Sequence, residues 1–222
     1  MFYACFSPQW FTGIDAIAQI LFVVIGLILA INFLRLYRRS THAPFLWMAL
    51  GFASIACSYI AQSYFNILVL SNGTWCTQIT ERTIAGHHIA VLLHMGLKIV
   101  GLILLTSAIL PKRSNTNTVL LLAASIIAVC FASNMILAFG IVSLLYLGTL
   151  ALHFLVNCVE CGERRAMIVS AAFAFLLLGW VDFFFVTTHS LFYVIGNVFE
   201  LIGYILLLIH FLVAFWYGKK KR

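Results

Sequence analysis

Charge is what this sequence most lacks. Only 9% of its 222 residues are Asp, Glu, Lys or Arg, while 64% are hydrophobic. A soluble domain keeps roughly a quarter of its residues charged, so a water-soluble fold is excluded. Long polar loops are missing as well: no connection between apolar segments exceeds roughly 16 residues, and an independent soluble domain needs at least about 50. Internal repeats and low-complexity tracts are absent, and no soluble basic face exists to bind nucleic acid, so the net charge of +7 needs another explanation. The first apolar stretch has no cationic segment ahead of it and ends in Arg35-Leu-Tyr-Arg-Arg39, so it reads as an uncleaved span and not as a signal peptide.

What is present is apolar sequence in lengths that suit a bilayer. A helix needs roughly 20 apolar residues to cross a hydrocarbon core about 30 Å thick. Seven segments are candidates, at 11–36, 45–70, 87–110, 119–133, 135–156, 166–187 and 192–216, the fourth shorter than the rest. The fourth and fifth form one tract of about 39 residues, roughly 58 Å if helical throughout, twice what a bilayer accommodates. It must fold back, and Ser133-Asn134 is the polar break near its middle. The reading is an all-α, seven-transmembrane-helix bundle forming one domain over 1–222.

Charge orients it. With the N-terminus outside, Arg35, Arg38, Arg39, Lys112, Arg113, Arg164, Arg165 and the tail Lys219, Lys220, Lys221 and Arg222 all fall inside. Only Arg82 falls outside. Short loops rich in Lys and Arg stay cytoplasmic, so the expected topology is N-out, C-in, in the cell membrane. Trp10 and Trp75 then lie near the outer boundary, with Trp47 and Trp216 near the inner one, where amphipathic rings prefer to sit. The basic inner boundary meets anionic lipid and offers a surface to a membrane or cytoplasmic protein partner.

Topology also sorts the six cysteines. Cys5 and Cys76 both fall outside, where an oxidising compartment would let them pair. Cys57 and Cys130 are expected to be buried as small apolar side chains. Cys158 and Cys161 form a lone Cys-Val-Glu-Cys without two further ligands nearby, so free thiols are the simpler reading. Asn72-Gly73-Thr74 is a glycosylation sequon on the outer side.

Ionisable groups inside spans are costly and face the bundle interior or water. His87, His94 and Lys98 recur on one face of the third span, and Asn197, Glu200 and Tyr204 on one face of the seventh. Asp182 and His189 lie a heptad apart, on a stripe shared with Gly179. The second span offers Tyr59, Gln62 and Asn66, and the first offers Asp15 and Gln19. At 1.5 Å per residue Asp15 and Asp182 lie roughly 5–10 Å below the outer boundary, His94 and Glu200 about 12 Å, and Lys98 about 18 Å. The inner half is hydrocarbon apart from His153 and His210, read as core histidines. This distribution predicts a polar cluster of His94, Lys98, Glu200, Asp182, Tyr204, Asn197 and Gln62, opening outward and closed below. An unpaired lysine at such depth is expensive, and the acids at reachable depth are Glu200 and Asp182; of the two, Glu200 is the expected partner of Lys98.

Several heptahelical functions are disfavoured by what the last span holds. A retinal protein needs a lysine there, and membrane zinc hydrolases typically carry a His-x-x-x-His pair; this span has Glu200 and a single histidine, His210. A looser resemblance rests on Asn-Phe-Leu-Arg-Leu-Tyr-Arg-Arg at 32–39, Phe-Leu-Trp-Met-Ala-Leu-Gly-Phe at 45–52 and Phe-Glu-Leu-Ile-Gly-Tyr-Ile-Leu-Leu-Leu at 199–208. These resemble the membrane modules of prokaryotic heptahelical sensor proteins. The resemblance implies a sensor or ligand-binding protein, with its signal passed to a separate partner because no output domain follows. A structural or assembly factor is the competing reading. The third is a metal-dependent membrane enzyme using His87, His88, His189 and Asp182, which share the outer boundary and suit zinc. No catalytic motif is present and no cofactor is expected; zinc enters only with the enzyme reading.

Overall fold

Every span is apolar on nearly all sides, so helix formation here follows from the bilayer, which leaves backbone polar groups no partner outside the segment. The computed structural model describes Pro8 and residues 10–71, 81–109, 115–161, 164–186 and 189–220. Among these residues there are seven helices: α1 Thr12–Ser40, α2 Ala43–Ser71, α3 Glu81–Ile109, α4 Asn115–Cys130, α5 Met135–Cys161, α6 Arg164–Phe184 and α7 Leu191–Lys220. Among the described residues there is no strand. Six helices are long and apolar enough to cross a membrane, and α4 carries a shorter apolar stretch, Val119–Cys130. Large apolar side chains such as Ile17, Leu93, Leu145 and Met167 point away from the bundle, as lipid-facing residues do. The chain is a helical membrane bundle.

The helices group as two triplets. α2 packs extensively on α1 and α3, and α6 on α5 and α7; the triplets meet more thinly, along α1–α7 and α3–α5. Polar and aromatic contacts identify the ends. At one end Asp15 of α1 meets Asn66 of α2 and Tyr193 of α7, and Phe184 of α6 meets Gly140 of α5. At the other, Phe33 of α1 packs on Phe45 of α2 and Phe211 of α7, and Phe154 of α5 on Phe173 of α6. α3 therefore finishes at the end opposite to where α5 begins, and the chain between them must run the height of the bundle. α4 makes that crossing. Its 16 residues rise about 24 Å, and Ser125 meets Tyr146 of α5 at 2.8 Å.

The fold-back expected at Ser133-Asn134 forms there. α4 stops at Cys130, and Asn134 Oδ1 accepts from Leu137 N–H at 3.1 Å, capping α5. The α1–α2 turn is tighter still: Thr41 takes the left-handed conformation (φ 54°) and donates its N–H to Tyr37 O at 2.7 Å. Arg38 and Arg39 fill the last turn of α1, where cations complement the helix dipole.

Small residues set the close approaches. A Cβ on Gly179 of α6 would lie 2.7 Å from the Gly196 carbonyl oxygen of α7, and one on Gly203 would lie 2.9 Å from that of Ala172. These two contacts bracket Glu200 and fix its depth against α6. On the other triplet, a Cβ on Gly101 would lie 2.8 Å from the Gly51 oxygen, and Ser54 Oγ donates to Leu97 O at 2.7 Å, which fixes α3 against α2 around Lys98.

Two cysteine expectations change. Cys57 and Cys130 are exposed on the outside of the bundle, because a thiol is apolar enough to face lipid and gains nothing from burial in protein. Cys5 and Cys76, and the sequon at 72–74, lie outside the described residues. Cys158 is half-buried and free; the side chain of Cys161 is not among those described.

Candidate functional site

The polar stripes of α1, α2 and α7 stack into two layers. On each helix the contributing residues are one heptad apart (15 to 22, 66 to 59, 193 to 200), so the layers lie about 10 Å apart along the bundle.

The outer layer centres on Asp15, which is 2% exposed. Its Oδ1 accepts from Gln19 Nε2 at 3.0 Å, and its Oδ2 from Asn66 Nδ2 at 3.0 Å and Tyr193 OH at 2.8 Å. Asn66 Nδ2 is also 3.1 Å from Gln19 Oε1, and Asn197 donates to the Tyr193 carbonyl at 2.8 Å. Three neutral donors thus surround one buried carboxyl group, as a deep acid requires.

The inner layer centres on Glu200. Its Oε1 accepts from Lys98 Nζ at 2.7 Å and from Tyr59 OH at 2.5 Å, while Lys98 Nζ also donates to Tyr59 OH at 2.7 Å. Lys98 and Glu200 are each 3% exposed. The ammonium lies 4.4 Å from the centre of the Trp180 ring and 4.6 Å from that of Tyr59, so two aromatic faces complete its surroundings. Phe22 and Tyr204 close the layer against Tyr59. His94 sits one turn outward of Lys98, its Nδ1 3.1 Å from the Ser58 carbonyl oxygen and its ring edge-on to Tyr59 and Phe139.

Of the residues singled out from sequence, the structure brings together His94, Lys98, Glu200 and Tyr204, and places Asn197 in the outer layer. Gln62 is half-buried and, among the described residues, joins neither layer. Asp182 stands apart. Trp180 points at Lys98, so Asp182, two residues and about 200° further round the helix, points away; its Oδ2 is enclosed without a hydrogen-bond partner among the described residues. The heptad expected between Asp182 and His189 does not form, because α6 ends at Phe184. His189 instead lies exposed ahead of α7, where its Nδ1 accepts from Leu191 N–H at 3.4 Å. The side chains of His87 and His88 lie outside the described residues, and among those described no three His, Cys, Asp or Glu side chains gather as a metal site would require. In the inner half, His153 is half-buried against Asn157 at 3.0 Å.

Trp180, Tyr193 and Phe22 are contributors not singled out from sequence. Tyr193 was findable, standing one turn ahead of Asn197 on the face that carries Glu200. Trp180 carries no polar-stripe signal. Among the described residues the hydrogen bonds of the outer layer close on one another, and a small cavity lies beneath the ion pair, lined by Lys98, Glu200, Trp180 and Tyr204 with apolar side chains such as Leu102 and Leu147.

Compared with protein-family models, curated proteins and solved structures, the chain matches none.

Proposed function

We propose that this protein is a heptahelical membrane sensor whose responsive element is the Lys98–Glu200 bridge. One observation carries the reading: the bridge joins the two triplets where their packing is thin. Lys98 and Tyr59 come from one triplet, Glu200 and Trp180 from the other. A small polar or weakly charged ligand entering from outside would part the Asp15 layer, compete for the bridge, and bias how the triplets pack. Such a bias reaches the inner helix ends without any local change there, since each triplet moves as a packed unit. The self-contained hydrogen bonding around Asp15 favours a second reading, a structural or assembly factor in which both layers only hold helices together.

Spin labels distinguish the two. In a background lacking native cysteines, Arg39→Cys with Glu160→Cys reports across the triplets, and Glu160→Cys with Leu212→Cys within one. For a switch, adding Glu200→Gln shifts or splits the first distance distribution and leaves the second unchanged. Identical distributions with and without Glu200→Gln would establish the structural reading.

The orientation proposed is N-out, C-in. The helix ends adjoining all the inner basic residues lie at one end of the bundle, opposite Asp15, and such an end stays cytoplasmic. Reporter fusions after Arg39, Lys112, Arg165 and Arg222 should all read cytoplasmic. An outside reading at the first two with an inside reading at the last two would remove the α4 crossing.

A further inference from the structure

Arg35, Arg38 and Arg39 close the last turns of α1 at i, i+3 and i+4, the spacing that puts side chains on one helix face. All three are exposed. Followed back along the helix, that face is the one carrying Val24, Leu27 and Ile31, which are also exposed. The opposite face holds Phe22, Leu29 and Phe33, buried in the bundle. The arginines therefore continue the lipid-facing stripe of α1 and cover nothing in the protein. From Thr12, where α1 begins, to Arg35 the helix rises roughly 34 Å, just past the far side of a hydrocarbon core about 30 Å thick. That is the level of lipid phosphates.

The elements around these arginines supply no counter-charge. None of the three forms an ion pair among the described residues. α1 packs on α2 and α7. α2 has no Asp or Glu, and the one acid of α7 is Glu200, held by Lys98. Asp15, the acid of α1 itself, is at the opposite end. Three like charges within about a turn repel one another, and a guanidinium fork matches the two oxygens of a phosphate.

We propose that this face of α1 is a binding site for one anionic phospholipid. Its phosphate lies among Arg35, Arg38 and Arg39, and its acyl chains run over Ile31, Leu27 and Val24. A zwitterionic headgroup brings a cation of its own into the cluster and binds less well. A soluble anion makes no use of the apolar part of the stripe, so the occupant is the lipid. The inference needs only the membrane bundle and does not depend on the sensor reading.

The test uses the full chain without its native cysteines, in phosphatidylcholine nanodiscs, with a fluorophore on Ile31→Cys, one turn from Arg35. Quenching by brominated phosphatidylglycerol is compared with quenching by brominated phosphatidylcholine at equal content, which gives the relative affinity for the anionic lipid beside the label. The expected ratio is about five or more in favour of phosphatidylglycerol, the worth of one basic residue at an anionic surface. At Ile17→Cys, exposed on the same stripe in the other leaflet, the ratio should be near unity. Arg35→Gln with Arg39→Gln should bring Ile31→Cys down to that value; if this variant does not insert, Arg35→Gln alone should lower the ratio severalfold. A ratio near unity at Ile31→Cys with the arginines intact would overturn the proposal. So would a ratio that survives the arginine substitutions. Loss of the preference in inorganic phosphate, but not in chloride of equal ionic strength, would equally overturn it, because the arginines would then hold a soluble anion.

Discussion

Lys98→Met is expected to lower the stability of the bundle by about 3–5 kcal/mol, the usual cost of stripping one partner from a buried ion pair. The magnitude follows from what is left behind. Glu200, 3% exposed, loses its cation and, among the described residues, keeps the Tyr59 hydroxyl on Oε1. It must then hold an uncompensated charge in a low-dielectric interior or take up a proton. Methionine matches the lysine stem in length and packs on Trp180 and Tyr59, so the loss reports the charge and not a void. Glu200→Gln should lose a comparable amount by stranding Lys98. Equilibrium unfolding in detergent, followed by tryptophan fluorescence, measures both. The loss is confined to these sites: Asp182→Asn, away from the pair, should change stability little.

The second large effect is expected at the α6–α7 seam. Gly179→Val should cost about 1–3 kcal/mol through overpacking, because the new Cβ meets a backbone carbonyl oxygen at 2.7 Å and the Glu200 amide nitrogen at 3.3 Å. Backbone atoms cannot rotate aside, so the helices must separate, drawing Glu200 away from Lys98. Gly140→Ala is the instructive comparison. Its Cβ would also meet an atom at 2.7 Å, but that atom is the ring tip of Phe184, which can swing, and the cost should be smaller. Gly96→Ala, with nothing within 4 Å, should be neutral or slightly stabilising by helix propensity. A ranking in which Gly96→Ala is as damaging as Gly179→Val would show that the seam does not set the spacing.

The parts of this architecture that were legible in sequence are those where the bilayer leaves few choices. Lys98 is the one lysine deep in a span, and spacing and rise narrow its partner to two acids, Glu200 and Asp182; the structure pairs it with Glu200. The turn at Ser133-Asn134 followed from a tract too long to cross once. What was not legible depended on where helices stop and how they rotate. Asp182 was grouped with the cluster by counting a heptad through to His189, but the helix ends at Phe184 and Trp180 takes the inward position. Cys57 and Cys130 face outward because a membrane helix has two apolar environments, protein and lipid, and hydropathy does not separate them. For the same reason the division into two triplets, set by small residues such as Gly101, Gly179 and Gly196, left no trace in the apolar pattern.

The central claim is that Lys98 and Glu200 act as one unit bridging the triplets, and a double-mutant cycle addresses it most directly. Lys98→Met, Glu200→Gln and the two together are unfolded in the same detergent. Direct contact at 2.7 Å between two buried charges predicts that the double variant recovers much of what either single change loses, with a coupling energy of about 0.5–3 kcal/mol or more. Losses that simply add would mean that the two residues do not interact, and the bridge between the triplets would have to be abandoned.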